Sequence, residues 1–137
     1  MNQSGRRDVE KDRRPSMEDE ITSHISERPS FEKYTGDTLV KDAEKLAGSI
    51  KDLKTAQLRR IYGEVKRMEM DFKKDESSFS RDRVVMLKPR LAYAASKKKE
   101  VIPLKNIFNK CIDKIQSRED FFQFVSFFEA ILAYHSG

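Results

Sequence analysis

The chain has 137 residues, enough for one domain built on a single core. Charged residues make up 37% of it, and the formal net charge is +5. The average domain carries roughly 25% charged residues, so a polyanionic partner and plain solubility both come into view. The single cysteine, Cys111, excludes an internal disulfide and fits a reducing compartment. No apolar h-region opens the chain, and no run approaches the roughly 18 apolar residues of a membrane span. A cytoplasmic protein without membrane contact is therefore expected.

Residues 1–36 differ in composition from the rest. They hold 7 lysines and arginines against 8 carboxylates, with Pro15, Pro29 and few large apolar side chains. Such a segment buries too little surface to offset its ordering entropy. It is expected to be a disordered or loosely docked tail, with the patch Phe31 to Tyr34 able to dock. Removing residues 1–30 is accordingly expected to leave the melting temperature within a few degrees. The tail's net charge of −1 leaves the basicity with residues 37–137, read as the helical domain.

From residue 37 the apolar period is helical throughout. The spacing predicts a first helix over about 38–50, with Leu39, Ala43, Leu46 and Ile50 on one face and Asp37 as N-cap. A second runs over about 56–75, with Leu58, Ile61, Val65, Met68 and Phe72 in a stripe and Thr55 as N-cap. A third, over about 80–98, contains Pro89, which removes one backbone hydrogen bond and predicts a kink between Val85 and Pro89. A fourth covers about 103–116, with Pro103 in its first turn, and Cys111 falls on its apolar face as a small buried side chain. The fifth covers about 118–134, behind a capping-box variant of Ser117 and Asp120. Apolar residues from Phe121 to Tyr134 take up most of its circumference, so it must be buried nearly all round, as a central helix or against another subunit. No segment alternates with period two. The fold class is all-α, a compact bundle of about five helices with a mobile charged N-terminal tail.

Catalytic and metal-binding constellations are missing. His24 and His135 have no partner at metal or triad spacing, and the five glycines form no phosphate loop. Carboxylate pairs such as Glu119–Asp120 fit helix ends. No enzyme activity, cofactor or metal is expected. Residues 54–74 have a net charge of +4 and residues 81–100 a net charge of +5, while residues 104–137 balance. At about 100° per residue, Arg59, Lys66 and Lys73 form one column, and Arg60, Arg67 and Lys74 a second beside it. This is either a solvated face or a phosphate-tracking surface.

Three stretches resemble the small subunit of type III-A CRISPR (Csm) effector complexes. Leu53-Lys54-Thr55-Ala56-Gln57-Leu58-Arg59-Arg60 is similar to the family's capped Lys/Gln-Leu-Arg signature. Leu87 to Ala95 resembles its Leu-basic-x-basic-x-x-Tyr-x-Ala helix. Asp120 to Tyr134 resembles its aromatic-Glu-Ala-x-x-Ala-Tyr close. The family's frequent Gly-Arg is Ser96-Lys97 here, and its Lys before Leu-Arg is Gln57. The resemblance implies a non-catalytic subunit in several copies per complex. Its implied partners are guide (crRNA) and target single-stranded RNA, the backbone and large subunits, and other copies of itself. RNA is contacted on its backbone without sequence readout. On this resemblance Arg59 and Arg60 are the leading phosphate contacts, helped by the helix N-terminus. Arg90 and Lys97 follow, then Lys54 and Gln57, while Tyr93 and Tyr134 are expected in the core. The alternative is a purely structural helical adapter, dimerising through its apolar last helix and carrying a solvated basic face.

Overall fold

Ser16 accepts the backbone N–H of Asp19 at 3.0 Å, an N-cap that opens helix α1, Met17–Ser26. The computed structural model describes residues 16–136, and every regular element among them is helical. Ile21 and Ile25 of α1 are fully buried. Polar contacts fasten its other faces: Lys45 Nζ to Glu20 at 2.9 Å, Asn106 Nδ2 to Glu18 at 2.9 Å, and His24 Nδ1 to Asp42 at 2.9 Å. A 3-10 turn, Phe31–Lys33, follows, with Phe31 and Tyr34 fully buried.

The expected mobile tail of residues 1–36 is therefore corrected from residue 16 onward, while residues 1–15 lie outside the described residues. The error is one of averaging. The segment is charge-rich overall, but Ile21, Ile25, Phe31 and Tyr34 all reach the core and Met17 packs against it.

Gly36, at φ +68°, turns the chain into α2, Gly36–Ser49, in the left-handed conformation that favours glycine. The cap position is Thr35, so Asp37, the expected N-cap, lies in the first turn instead. Helix α3 is Thr55–Lys73; Lys54 takes its cap position, and the expected cap Thr55 is the first helical residue. After a 3-10 turn at Glu76–Ser78 come α4, Arg81–Val85, and α5, Leu87–Lys97, meeting at Met86. The break lies where Pro89 predicts it. By restarting at Leu87 the chain places Pro89 in the first turn of α5, where no backbone N–H is needed. A 3-10 turn at Lys99–Val101 leads into α6, Ile102–Lys114, with proline in its first turn. Helix α7 is Arg118–Ser136.

Helix α7 is the centre of the fold. α2, α3 and the Phe31 turn pack against it, while α1 and α5 pack on α6. Its Phe121, Phe124, Phe127, Phe128 and Ile131 are at most 1% exposed. Edge-on aromatic contacts surround it: Phe72 with Phe121 at 5.1 Å, Phe108 with Phe124 and with Phe128 at 4.9 Å, Tyr62 with Phe128 at 5.2 Å, and Tyr34 with Phe127 at 5.2 Å. From Ser126 to His135, the exposed residues are Ser126, Glu129, Ala133 and Tyr134. Cys111 is fully buried in α6, and burial pushes its thiol well above the usual range.

Both ends of α7 are fixed by polar side chains. Ser117 Oγ accepts the Asp120 N–H at 3.1 Å. The Asp120 carboxylate accepts the N–H of Gln116 at 2.9 Å and that of Glu32 at 2.8 Å, tying the helix start to the Phe31 turn. At the far end His135 Nε2 lies 3.0 Å from the carbonyl of Ile50, and Nδ1 lies 3.5 Å from Thr55 Oγ1.

Two outcomes follow for stability. Asp120→Ala orphans two part-buried backbone donors, each costing up to about 1–3 kcal/mol; a loss of about 2–6 kcal/mol is expected in urea denaturation followed by circular dichroism. Deleting residues 1–30 exposes the sites of Ile21 and Ile25, side chains worth about 1.5–3 kcal/mol each on burial. The melting temperature should fall by at least about 5 °C, and an unchanged midpoint would show that α1 adds nothing to the domain.

Candidate nucleic-acid interface

Leu58, Val65, Met68 and Phe72 turn one side of α3 into the core, which leaves its basic columns at the surface. The two columns are not equivalent along their length. Lys66 Nζ meets Glu69 at 2.6 Å and Glu129 at 3.6 Å, and Lys73 Nζ reaches Glu69 at 3.6 Å. Hydrogen bonding to Glu69 holds the Lys66 ammonium above its ordinary pKa. Lys74 pairs with Asp71 at 3.6 Å, and Asp71 also takes Arg83 at 2.9 Å. Arg83 draws the Asp71 carboxyl below the usual carboxylate range. Lys66, Lys73 and Lys74 are thus neutralised within the fold. Among the described residues no salt bridge reaches Arg59, Arg60 or Arg67, and all three are exposed.

The second basic cluster divides the same way. Arg81 Nε donates to the carbonyl of Ile115 at 2.9 Å, and Lys88 pairs with Asp113. Arg90 reaches Glu64 at 3.4 Å in an exposed ion pair. Lys97 lies 5.3 Å above the ring centroid of Tyr93.

Because α3 packs on α7 and α5 packs on α6, the two basic helices stand apart with a groove of about 560 Å³ between them. Its floor is apolar, from Ile61, Val65, Leu91 and the edges of Phe108 and Phe124. Gln57, Arg60 and Glu64 line it from α3; Arg90, Tyr93 and Lys97 line it from α5. Four of the six expected contact residues, Gln57, Arg60, Arg90 and Lys97, are therefore brought to one feature. Lys54 borders an adjoining depression of about 50 Å³, together with Gln57 and Lys98. Arg59 is exposed beside the groove but does not line it.

The tyrosines correct an expectation. Tyr93 is 66% exposed and Tyr134 is 43% exposed; neither is a core residue. Leu87 and Leu91 already fill the buried side of α5, which leaves Tyr93 on the opposite wall of the helix. The signal was present in the sequence as Arg90, Tyr93 and Lys97 at positions i, i+3 and i+7, which share a helix face.

Among the described residues no group of three or more His, Cys, Asp or Glu is placed to hold a metal. His24 and His135 both serve in packing contacts. No helix among the described residues is long and apolar enough to cross a membrane.

The family model described as Csm2 Type III-A matches residues 33–137, which begins at the Phe31 turn and leaves α1 outside. No curated protein and no solved structure gives a match. An all-helical bundle with two basic helices flanking an open groove, matched over most of its length, belongs to the Csm2 family, the small subunit of type III-A CRISPR–Cas effector complexes.

Proposed function

We propose that this chain is a non-catalytic, RNA-binding structural subunit that stands in several copies along the guide RNA–target RNA. It contacts the nucleic-acid backbone without reading sequence. Neighbouring copies, the backbone subunits and the large subunit are its protein partners, and the cytoplasm is its compartment. The observation that carries the reading is the unneutralised cluster of Arg59, Arg60 and Arg67 in a fold whose other α3 cations are internally paired. Arg59 and Arg60, in the second turn of α3, add to the favourable field of the helix N-terminus, and Arg67 extends the charge along the helix, an arrangement that suits phosphate. The adapter alternative drew on apolar surplus in the last helix, and that surplus is covered within the chain.

The test is fluorescence anisotropy with two unrelated single-stranded RNAs at several salt concentrations. Arg59→Ala with Arg60→Ala should weaken both RNAs about equally. The slope of log affinity against log salt should shrink by about 1.4, at about 0.7 per phosphate contact on a single strand. Lys73→Ala should change it less, because Glu69 already holds that ammonium. The helix itself should persist, as alanine is a better helix former than arginine. An unchanged slope in the double variant returns the stripe to a solvated face.

The purified chain is also expected to leave RNA uncut with or without added divalent metal. Metal-dependent cleavage that co-purifies with it and disappears in a point variant would overturn the non-catalytic reading.

A further inference from the structure

We propose that the groove between α3 and α5 binds unpaired nucleobases of single-stranded RNA. Tyr93 is the stacking platform, and Arg60, Arg90 and Lys97 hold the flanking phosphates. The site presupposes RNA binding by this chain and adds base contact to the backbone contact proposed above.

Tyr93 is a large aromatic side chain left 66% exposed on the rim of an apolar groove. Its π face already attracts a cation, with Lys97 Nζ 5.3 Å from the ring centroid. Arg90, Tyr93 and Lys97 follow one another on a single helix face, and the two cations are separated by about 10 Å of helix rise. A cation on either side of an aromatic ring is the arrangement that single-strand binders use, with stacking for the base and charge for the backbone. Across the groove Arg60 supplies a third cation, and the Gln57 amide offers both a donor and an acceptor to a base edge. The floor of Ile61, Val65 and Leu91 suits the flat, uncharged face of a base. The volume of about 560 Å³ falls within the roughly 300–1,000 Å³ of small-ligand pockets, ample for a base and its sugar. A duplex keeps its base faces stacked inside and would offer this groove only phosphate, so an unpaired strand is the better occupant.

Glu64 marks one end of the groove and at present occupies Arg90 at 3.4 Å. The pair is exposed, with side chains 64% and 37% accessible, and such pairs are weak enough to be exchanged for phosphate. The carboxylate opposes an incoming anion, so Glu64→Gln should tighten RNA binding.

The experiment measures the full chain by anisotropy against a single-stranded RNA of twelve nucleotides, the same strand with abasic sites, and its duplex. Circular dichroism checks that each variant is folded; Tyr93 is largely exposed, so the fold should be retained. Tyr93→Ala should weaken the intact strand about 5- to 150-fold, the range of one lost base–aromatic stack, with the salt slope unchanged. Tyr93→Phe should bind as the parent does. The parent should bind the abasic strand about as weakly as Tyr93→Ala binds the intact one, and Tyr93→Ala should lose nothing further on the abasic strand. Equal affinity of the parent and Tyr93→Ala for the intact strand overturns the base site. If Arg59→Ala with Arg60→Ala still flattens the salt dependence in that case, backbone contact stands alone. A parent that binds no RNA removes both readings. An acidic amphipathic peptide that binds the parent, is lost in Tyr93→Ala, and leaves RNA affinity untouched in that variant would make the groove a protein dock and overturn the nucleobase assignment.

Discussion

The requirement that α7 be covered on nearly every side governs the arrangement of the whole molecule. A helix carrying Phe121, Phe124, Phe127, Phe128 and Ile131 around its circumference cannot stand at a surface. Each neighbour therefore takes one sector of it. The Phe31 turn and Tyr34 meet Phe124 and Phe127, α3 brings Tyr62 and Phe72, and α6 brings Phe108 between Phe124 and Phe128. Edge-on ring contacts have geometric preferences as well as buried area, so they restrict rotation of these elements about α7. Asp120 and His135 then fix its axial position from both ends, one through the Phe31 turn and the other through the link between α2 and α3.

Once those sectors are filled, α5 has no face of α7 left to cover and packs on α6 instead. The gap between α3 and α5 is a consequence of that crowding rather than a packing defect. It leaves apolar atoms of Phe108 and Phe124 at the base of a groove whose walls are basic. Electrostatics acts on the same surface by subtraction. Glu69, Asp71, Asp113 and Glu129 neutralise cations along α3, α4 and α5, and Glu69 and Asp71 each bind two. What survives among the described residues is Arg59, Arg60 and Arg67 on α3 and Lys97 on α5, with Arg90 held only by the exposed Glu64 pair, not the continuous stripe that spacing alone describes.

Much of the fold was legible because its signals are local. The α3 stripe, the break ahead of Pro89 and the burial demand of the last helix all follow from periodicity or from the chemistry of a single residue. The N-terminal segment was not legible, because its buried side chains are few and meet partners about 90 residues away, as in the ring contacts of Phe31 with Phe124 and of Tyr34 with Phe127. The caps at Asp37 and Thr55 shifted by one or two residues because Gly36 and Lys54 make the turns themselves. For the candidate site, residue type and helix phase were enough to bring Gln57, Arg60, Arg90 and Lys97 forward. Part of the neutralisation was legible too, since Glu69 takes Lys66 and Lys73 and Asp71 takes Lys74 at i, i+3 or i, i+4 spacing; the pairs made between helices, Lys66 with Glu129 and Arg83 with Asp71, required the fold.

The break at Met86 links the backbone to this surface. A continuous helix from residue 81 to residue 97 would carry Pro89 in its interior, with the carbonyl of Val85 facing a ring instead of an N–H. Ending α4 at Val85 and restarting at Leu87 frees α5 to set its own rotational phase. That phase is chosen by Leu87 and Leu91, which must point to α6 and the core. Residues 90, 97 and 93 lie about 80°, 100° and 140° from that buried direction on a helical wheel. The same leucines that anchor α5 therefore hold Arg90, Tyr93 and Lys97 at the groove. The exposure of Tyr93 is then a product of packing elsewhere in the helix, maintained without any contact of its own hydroxyl to the protein among the described residues.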